Sequence, residues 1–230
     1  MEKVRNIFGT IVAQNQIHFI EQIGYLTYLC DTVGNQNPKL ESMNIIFNTR
    51  AGVLILLVVL AALSRLIPHP YNFTPIGAIA LFGAAYFNKR ALAFFVPFVA
   101  MWLSDLVLNN VVYAKMYPAY YQGFSWFGSG WVYGSFALIV VLGLLLLRKV
   151  RVTNVLGASL LASLLFFLVT NFGVWLNSPV YPQNMIGLIT CYIAGLPFFV
   201  NTILGDLFYS ALLFGVFEWA QTRYPSLKLA

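Results

Sequence analysis

A chain of 230 residues that is 60% hydrophobic and only 9% charged lies far from soluble globular composition, where roughly a quarter of residues carry charge. Its length allows one domain, and at about 20 residues per crossing it accommodates several membrane helices with short connections. The net charge of +6 is not a nucleic-acid signature, because the basic residues form short clusters at helix ends, where they face anionic lipid and set topology.

Residues 1–42 read as an N-terminal extension ahead of a membrane domain at 43–230. They hold Glu2, Lys3, Arg5, His18, Glu21, Asp31, Lys39 and Glu41. Ile7–Cys30 is interrupted by Gln14, Asn15, Gln16, His18, Glu21 and Gln22 and is too polar to span a bilayer. No continuous apolar core follows Lys3 and Arg5, so a signal peptide fits poorly. Two readings stay open: an interfacial helix, or a translation start at Met43 directly ahead of the first span.

The first span, Ala51–Ile67, is unbroken Leu, Val and Ile sequence that stops at Pro68-His69-Pro70. The second, Thr74–Phe87, covers only about 21 Å of a ~30 Å hydrocarbon core. Gly77, Ala80 and Ala84 share one face of it, where another helix can approach closely. After the turn Asn88-Lys89-Arg90, the third span Ala91–Leu108 places Trp102, Asp105 and Asn109 on one face. The loop Asn110–Gly130 is rich in Tyr and Trp, as at a membrane interface. The fourth span, Trp131–Leu147, is featureless lipid-grade sequence ending in Arg148, Lys149 and Arg151. The fifth, Val155–Leu176, carries Ala158 and Ala162 near one end and Thr170, Asn171 and Trp175 near the other. Asn177–Leu196, with Pro179, Pro182 and Gly187, reads as an outer loop containing an interfacial or re-entrant helix. The last span, Pro197–Trp219, bears a polar stripe of Thr202, Asp206 and Ser210.

Threading these spans from the cytoplasm puts Arg50, Lys89, Arg90, Arg148, Lys149, Arg151, Arg223 and Lys228 inside, and only Arg65 and Lys115 outside. The expected fold is therefore an all-α integral membrane protein with six transmembrane helices, N-in and C-in. Its second span is short, and an interfacial or re-entrant segment precedes the last helix. Cys30 and Cys191 fall on opposite sides in this topology and lack metal-ligand spacing, so neither a disulfide nor a metal site is expected.

Charged and amide groups at membrane depth are costly and are functional by default. Asp105, Asn109, Asn171, Asn201 and Asp206 all fall in the outward half. Arg65 stands at the same depth as an anion or counter-ion contact, and Trp175 and Tyr192 supply apolar walls. The alternative is structural: the aspartates pair with Arg65 and hold helices together, although one arginine cannot neutralise both. An intramembrane enzyme using Asp105 and Asp206 is a third reading. Neither Ser104-Asp105 nor Gly205-Asp206 completes an aspartyl-protease motif, however, and no other catalytic motif is present. No nucleotide-binding segment or cofactor motif occurs, so no cofactor is expected and ATP-driven transport would need other subunits. A structural or assembly protein acting through the small-residue faces at Ala80 and Ala84 remains the runner-up.

Arg65-Leu-Ile-Pro-His69-Pro-Tyr-Asn72-Phe-Thr-Pro75-Ile-Gly77, Thr170-Asn171-Phe-Gly-Val-Trp175 and the run from Cys191 through Asn201 to Gly205-Asp206 resemble an uncharacterised family of bacterial membrane proteins that carry a transporter label without a substrate. The match covers about residues 45–220. More distantly, the six-span layout and short second span resemble the substrate-binding S components of energy-coupling-factor (ECF) vitamin transporters. Those resemblances imply an inner-membrane, multi-pass uptake protein that binds a small polar solute or vitamin at its outward face. They also imply a transmembrane coupling subunit and ATPases as partners. His69 and Asn72, from the first of these strings, join the candidate set, although a histidine in a Pro-His-Pro turn is ordinarily just an exposed loop residue. The S components carry an Ala-x-x-x-Ala contact motif on the first helix. Here Ala80/Ala84 and Ala158/Ala162 have the spacing instead.

Overall fold

The computed structural model describes residues 49–119, 121 and 123–228. The expectations for residues 1–42, the Met43 start and Cys30 lie outside the described residues. All regular structure among the described residues is helical: α1 Thr49–Ser64, α2 Ile76–Tyr86, α3 Arg90–Val107, α4 Gly130–Leu146, α5 Val152–Asn177 and α6 Met185–Arg223. Beyond α3 the chain continues through a π-helical segment, Leu108–Tyr113, and a last α turn, Ala114–Met116. A 3₁₀ turn, Pro225–Leu227, follows α6.

Three stretches are long and apolar enough to cross a membrane: Arg90–Met116, Val152–Asn177 and Met185–Arg223. The surface pattern agrees with that reading. On α5 the exposed residues Leu156, Leu160, Leu164 and Leu168 recur every four positions. On α6 the exposed positions Ile189, Ile193, Leu196, Val200, Leu204, Phe208, Leu212, Val216 and Trp219 run the length of the helix. The opposite face, from Cys191 through Gly205 and Asp206 to Phe217, is buried. A continuous exposed apolar face of this extent is a lipid-facing surface rather than a soluble one.

The structure corrects the sequence reading before the last span. Residues 185–196 are not a separate interfacial or re-entrant segment but the first turns of one continuous 39-residue helix. Pro197 sits inside this helix, as Pro97 sits inside α3. A proline removes one i→i−4 bond and disfavours a helix, but packing of the two flanking apolar stretches outweighs that local cost. The connection from α5 is correspondingly short. The Asn184 side chain caps α6 by accepting from the Gly187 amide at 2.9 Å.

The short second helix sits at the centre of the fold. Every residue of α2 except Ala85 is buried, as expected for a helix that is apolar all round. Glycines bring its neighbours close. A Cβ on Gly83 would run into the Pro97 ring of α3, and one on Gly143 of α4 would meet the Ala84 Cβ at 2.7 Å. Ala80, Ala84, Ala158 and Ala162 are all buried within the chain, so the small-residue faces serve internal packing.

At one end of the bundle, Arg50 of α1 donates from Nη1 to the Leu227 carbonyl at 2.6 Å and from Nη2 to the Tyr86 carbonyl at 3.3 Å. Its guanidinium also lies 5.4 Å from the centroid of the Phe217 ring. The Tyr86 hydroxyl donates to the Glu218 carboxylate. These contacts join α1, the end of α2, α6 and the C-terminal turn.

The packing can be tested with a matched pair of glycine substitutions. Gly143→Leu should lower the unfolding midpoint in detergent, at a cost of about 1–3 kcal/mol from overpacking against Ala84. Gly157→Leu, on α5 with open space at its Cα, should leave the midpoint unchanged. Equal effects would show that the α2–α4 contact is wrong.

Candidate functional site

At the other end of the bundle, α1 finishes in a turn in which the Arg65 amide bonds the Ala62 carbonyl. This turns the Arg65 side chain back into the protein. Its Nη2 lies 2.7 Å from Asp105 Oδ1. Nη1 donates to Ser104 Oγ at 2.6 Å and to the Met101 carbonyl at 3.4 Å. The second carboxylate oxygen of Asp105 accepts from the Tyr133 hydroxyl of α4 at 2.8 Å. The pair is thus a buried, hydrogen-bonded ion pair spanning α1, α3 and α4, the arrangement in which charges survive at depth.

One group in this cluster is left over. Arg65 is 9% exposed and its Nε is buried with no hydrogen-bond partner among the described residues. Asn109, 8% exposed, stands beside the pair. Asn109 lies in the π-helical segment, a widened turn of a kind frequently found at functional sites.

The aromatic loop before α4 closes over this cluster. Asn110 grips Ser125 at two points, accepting from its amide at 2.7 Å and donating to its carbonyl at 2.8 Å. Trp102 Nε1 donates to the Trp126 carbonyl at 2.9 Å. Gly128 then rests on the charged pair: a Cβ there would lie 3.1 Å from Asp105 Oδ2 and 3.7 Å from Asn109 Nδ2. Phe127 and Phe98 flank the Tyr133 ring at centroid distances of 6.2 and 5.1 Å.

Asp206 has a different role. It is 2% exposed, and its carboxylate accepts from the Ser163 hydroxyl at 2.7 Å and from the backbone amides of Gly77 and Ala78. Those amides belong to the first turn of α2, which has no side-chain cap of its own at Pro75. Asp206 therefore caps α2 from a neighbouring helix, its carboxyl oxygens meeting the unpaired amides of the helix start. Two glycines make the approach possible. A Cβ on Gly77 would collide with the Asp206 carboxylate, and one on Gly205 would lie 2.9 Å from the Thr74 amide nitrogen. Ser159 and Ser210 hydrogen-bond at 2.8 Å one turn below.

The remaining candidates fall elsewhere. Asn171 donates to the Phe167 carbonyl one turn back at 2.8 Å, while its own backbone carbonyl lies 3.5 Å from Cys191 Sγ. The Tyr192 hydroxyl donates to the Leu168 carbonyl at 2.7 Å. Trp175 Nε1 donates to the Pro182 carbonyl at 3.0 Å, and Gln183 returns a bond to the Trp175 carbonyl at 2.6 Å. These contacts build the α5–α6 hairpin. Asn201 Nδ2 holds the Tyr71 carbonyl at 2.9 Å. Asn72 is exposed at φ 63°, a left-handed turn conformation that asparagine tolerates better than most residues. His69 Nδ1 lies 2.9 Å from the Pro70 carbonyl.

The ten candidates thus separate. Arg65, Asp105 and Asn109 form one cluster, Asp206 caps α2, and the others tie loops and the hairpin together. Asp105 and Asp206 bond to different partners and do not share a hydrogen bond. Tyr133, Ser104, Gly128 and Ser163 take part without having been singled out by sequence. Tyr133 stood in the span read as featureless. A tyrosine a few residues inside an apolar helix that buries it needs a hydroxyl partner, and that was the available signal.

The cap can be probed by substitution. Asp206→Ala leaves two amides and a hydroxyl unsatisfied in apolar surroundings and should destabilise the folded protein by about 2–3 kcal/mol. Asp206→Asn, which keeps an accepting carbonyl oxygen, should lose less. Unfolding in detergent followed by tryptophan fluorescence reads both. Wild-type stability of the alanine variant would rule the cap out.

The structure also has an open groove of about 780 Å³ on the outer faces of α4 and α5, bordered by Gly130, Trp131, Gly134, Leu138, Val169 and Asn177. It is separate from the Arg65–Asp105 cluster. No curated protein and no solved structure matches the chain. A family model described as a family of unknown function, DUF6580, matches residues 46–227, and the chain belongs to that family.

Proposed function

We propose that this protein is a six-span, N-in and C-in protein of a bacterial inner membrane that takes up a small polar solute. The solute binds at the outward end of the bundle, beneath the aromatic loop. The observation carrying this reading is the seat of Gly128 on the Arg65–Asp105–Asn109 cluster. Charge buried at membrane depth is normally satisfied completely. Here it is covered by a loop and retains one buried donor without a partner among the described residues, Arg65 Nε. Closing a loop over a polar cluster is how many sites sequester a ligand from water. The energy for uptake would come from a separate transmembrane coupling subunit and ATPases, and the lipid bilayer is the other standing partner. The basic residues flanking α2–α3 and α4–α5 support this orientation.

A second reading, assembly with another membrane protein, is favoured by one feature. Gly130 and Gly134 of α4 are four residues apart and nothing lies within 4 Å of a Cβ built on either, which leaves a small-xxx-small face unpartnered among the described residues.

Native mass spectrometry after gentle extraction separates the two readings. Uptake predicts a reproducible small-molecule adduct, reduced at least about tenfold in Asn109→Ala, since one hydrogen bond lost from a buried ligand costs about that factor. Trp175→Phe should retain the adduct. A second protein subunit without any adduct, lost in Gly134→Leu, would favour assembly and overturn the uptake reading.

A further inference from the structure

We propose that the end of the bundle opposite the Arg65–Asp105 cluster binds an anionic phospholipid, held by the α2–α3 and α4–α5 turns together. The inference is independent of the uptake reading. Lys89 and Arg90 lie in the first turn, and Arg148, Lys149 and Arg151 in the second, all of them exposed. The two turns are neighbours. α4 starts at the far end, where Tyr133 bonds Asp105, and so finishes beside the end of α2. Ala84 of α2 packs at Gly143 of α4, and Lys89 and Arg148 each follow five residues after that contact. Phe87 and Leu147, just ahead of the basic residues, are both buried, so each turn is seated on a packed helix end.

The charge of this surface is uncompensated among the described residues. Their acidic side chains are Asp105, Asp206 and Glu218. Asp105 is paired at the far end, Asp206 is enclosed at the start of α2, and Glu218 accepts from Tyr86. None of the five basic side chains makes an ion pair or hydrogen bond within the described residues. Helix stability does not account for them. Lys89 is the N-cap residue of α3 and Arg151 that of α5, and a cation at a helix N-terminus opposes the helix dipole. Membrane orientation accounts for positive charge on one side. It does not require two separate turns, neither with an acidic residue, to stand side by side.

The surface next to the turns selects an amphiphile. Within a few residues of the basic side chains the helices expose apolar groups: Phe95 on α3, Leu145 and Leu146 on α4, and Val152 and Leu156 on α5. A phosphate held at the turns therefore has an apolar surface beside it for an acyl chain. Inorganic phosphate would use the charged rim alone, and an acidic protein surface would leave the apolar groups uncovered. Arginine forks suit phosphate oxygens, and clusters of roughly four to eight Lys and Arg at the end of a membrane helix recognise anionic headgroups.

The test is native mass spectrometry of the full-length protein in micelles containing equal amounts of phosphatidylglycerol and phosphatidylcholine. The wild-type protein should retain phosphatidylglycerol in preference, and an excess of inorganic phosphate should not displace it. Lys89→Gln/Arg151→Gln should weaken that preference at least about tenfold, and Lys89→Arg/Lys149→Arg should keep it. Arg223→Gln/Lys228→Gln removes the same charge from the nearby end of α6 and its following turn and should also keep it. Unfolding midpoints in phosphatidylcholine nanodiscs report whether each variant is folded, and Arg151→Gln alone carries the test if the double variant is not. Equal retention of the two lipids by the wild-type protein overturns the proposal, as does an unchanged preference in the folded basic-turn variant. An equal loss in Arg223→Gln/Lys228→Gln would show a diffuse field, and displacement by inorganic phosphate an ion site; either overturns it. So does an acidic protein retained in place of lipid and lost in the basic-turn variant.

Discussion

A helix of 11 residues buried on nearly every side creates a problem that the rest of the chain must solve. The amides of its first turn and the carbonyls of its last have no partners within the helix. In a soluble protein water would supply them. Here both ends of α2 stop inside the bundle, because about 17 Å of helix cannot reach across a ~30 Å core. The solution is one polar side chain at each end. Asp206 from α6 takes the amides of Gly77 and Ala78, and Arg50 from α1 reaches the Tyr86 carbonyl. Other features follow from this: Gly77 and Gly205 must lack side chains, Ser163 must complete the carboxylate's shell, and the C-terminal turn is drawn in because Arg50 also binds the Leu227 carbonyl.

The two buried aspartates illustrate how similar sequence signals conceal different physical roles. Both lie on polar stripes of apolar helices. Asp206 is satisfied by neutral donors and a helix dipole, and its job is complete without a ligand. Asp105 is satisfied by Arg65 and Tyr133, but the cluster it belongs to retains a buried Nε without a partner among the described residues. A structural ion pair gains by closing its hydrogen-bond shell, since each unmet buried group costs on the order of 1–3 kcal/mol. A binding site must leave part of that shell open. On the proposed reading, the contrast between these clusters separates scaffold from site better than the presence of charge does.

Much of the helical layout was legible in the apolar runs, because a lipid-facing helix cannot hide its composition. Five of the six runs agree with α1 to α5 to within a few residues. The sixth was placed too late because Pro197, Gly187 and Pro182 resemble a break. A proline inside a helix is a local cost, and its outcome depends on tertiary packing that a single sequence does not display. The site was legible only in part. Arg65 and Asp105 could be suspected as partners from depth and sign. That Arg65 serves one aspartate while backbone amides serve the other was not, because main-chain donors are invisible to a reading by side-chain type. Tyr133 and Gly128 were missed for a related reason. One is an ordinary aromatic in an apolar span, and the other is a glycine whose importance lies in what it descends onto.

The loop that covers the cluster is held unevenly, and this bears on how a ligand could gain entry. Ser125 and Trp126 are anchored by Asn110 and Trp102. On the other side Ser129 is anchored by the amides of Val132 and Tyr133 in the first turn of α4, which bond its carbonyl at 3.0 and 3.3 Å. Between these anchors, the Ser125 hydroxyl donates to the Phe127 carbonyl, a bond within the loop that can travel with it. Gly128 is itself tied to Tyr133 by a backbone hydrogen bond, and Phe127 packs against Trp102 and Tyr133, so lifting this stretch must break those contacts. A solute need not unfold the loop. It needs to replace the contacts that Phe127 and Gly128 make with Trp102 and Tyr133 by better ones. A ligand shifts such an equilibrium by its differential affinity for the open form. Because the closed form leaves Arg65 Nε without a partner among the described residues, a solute of the proposed kind that offers it an acceptor would gain such a differential.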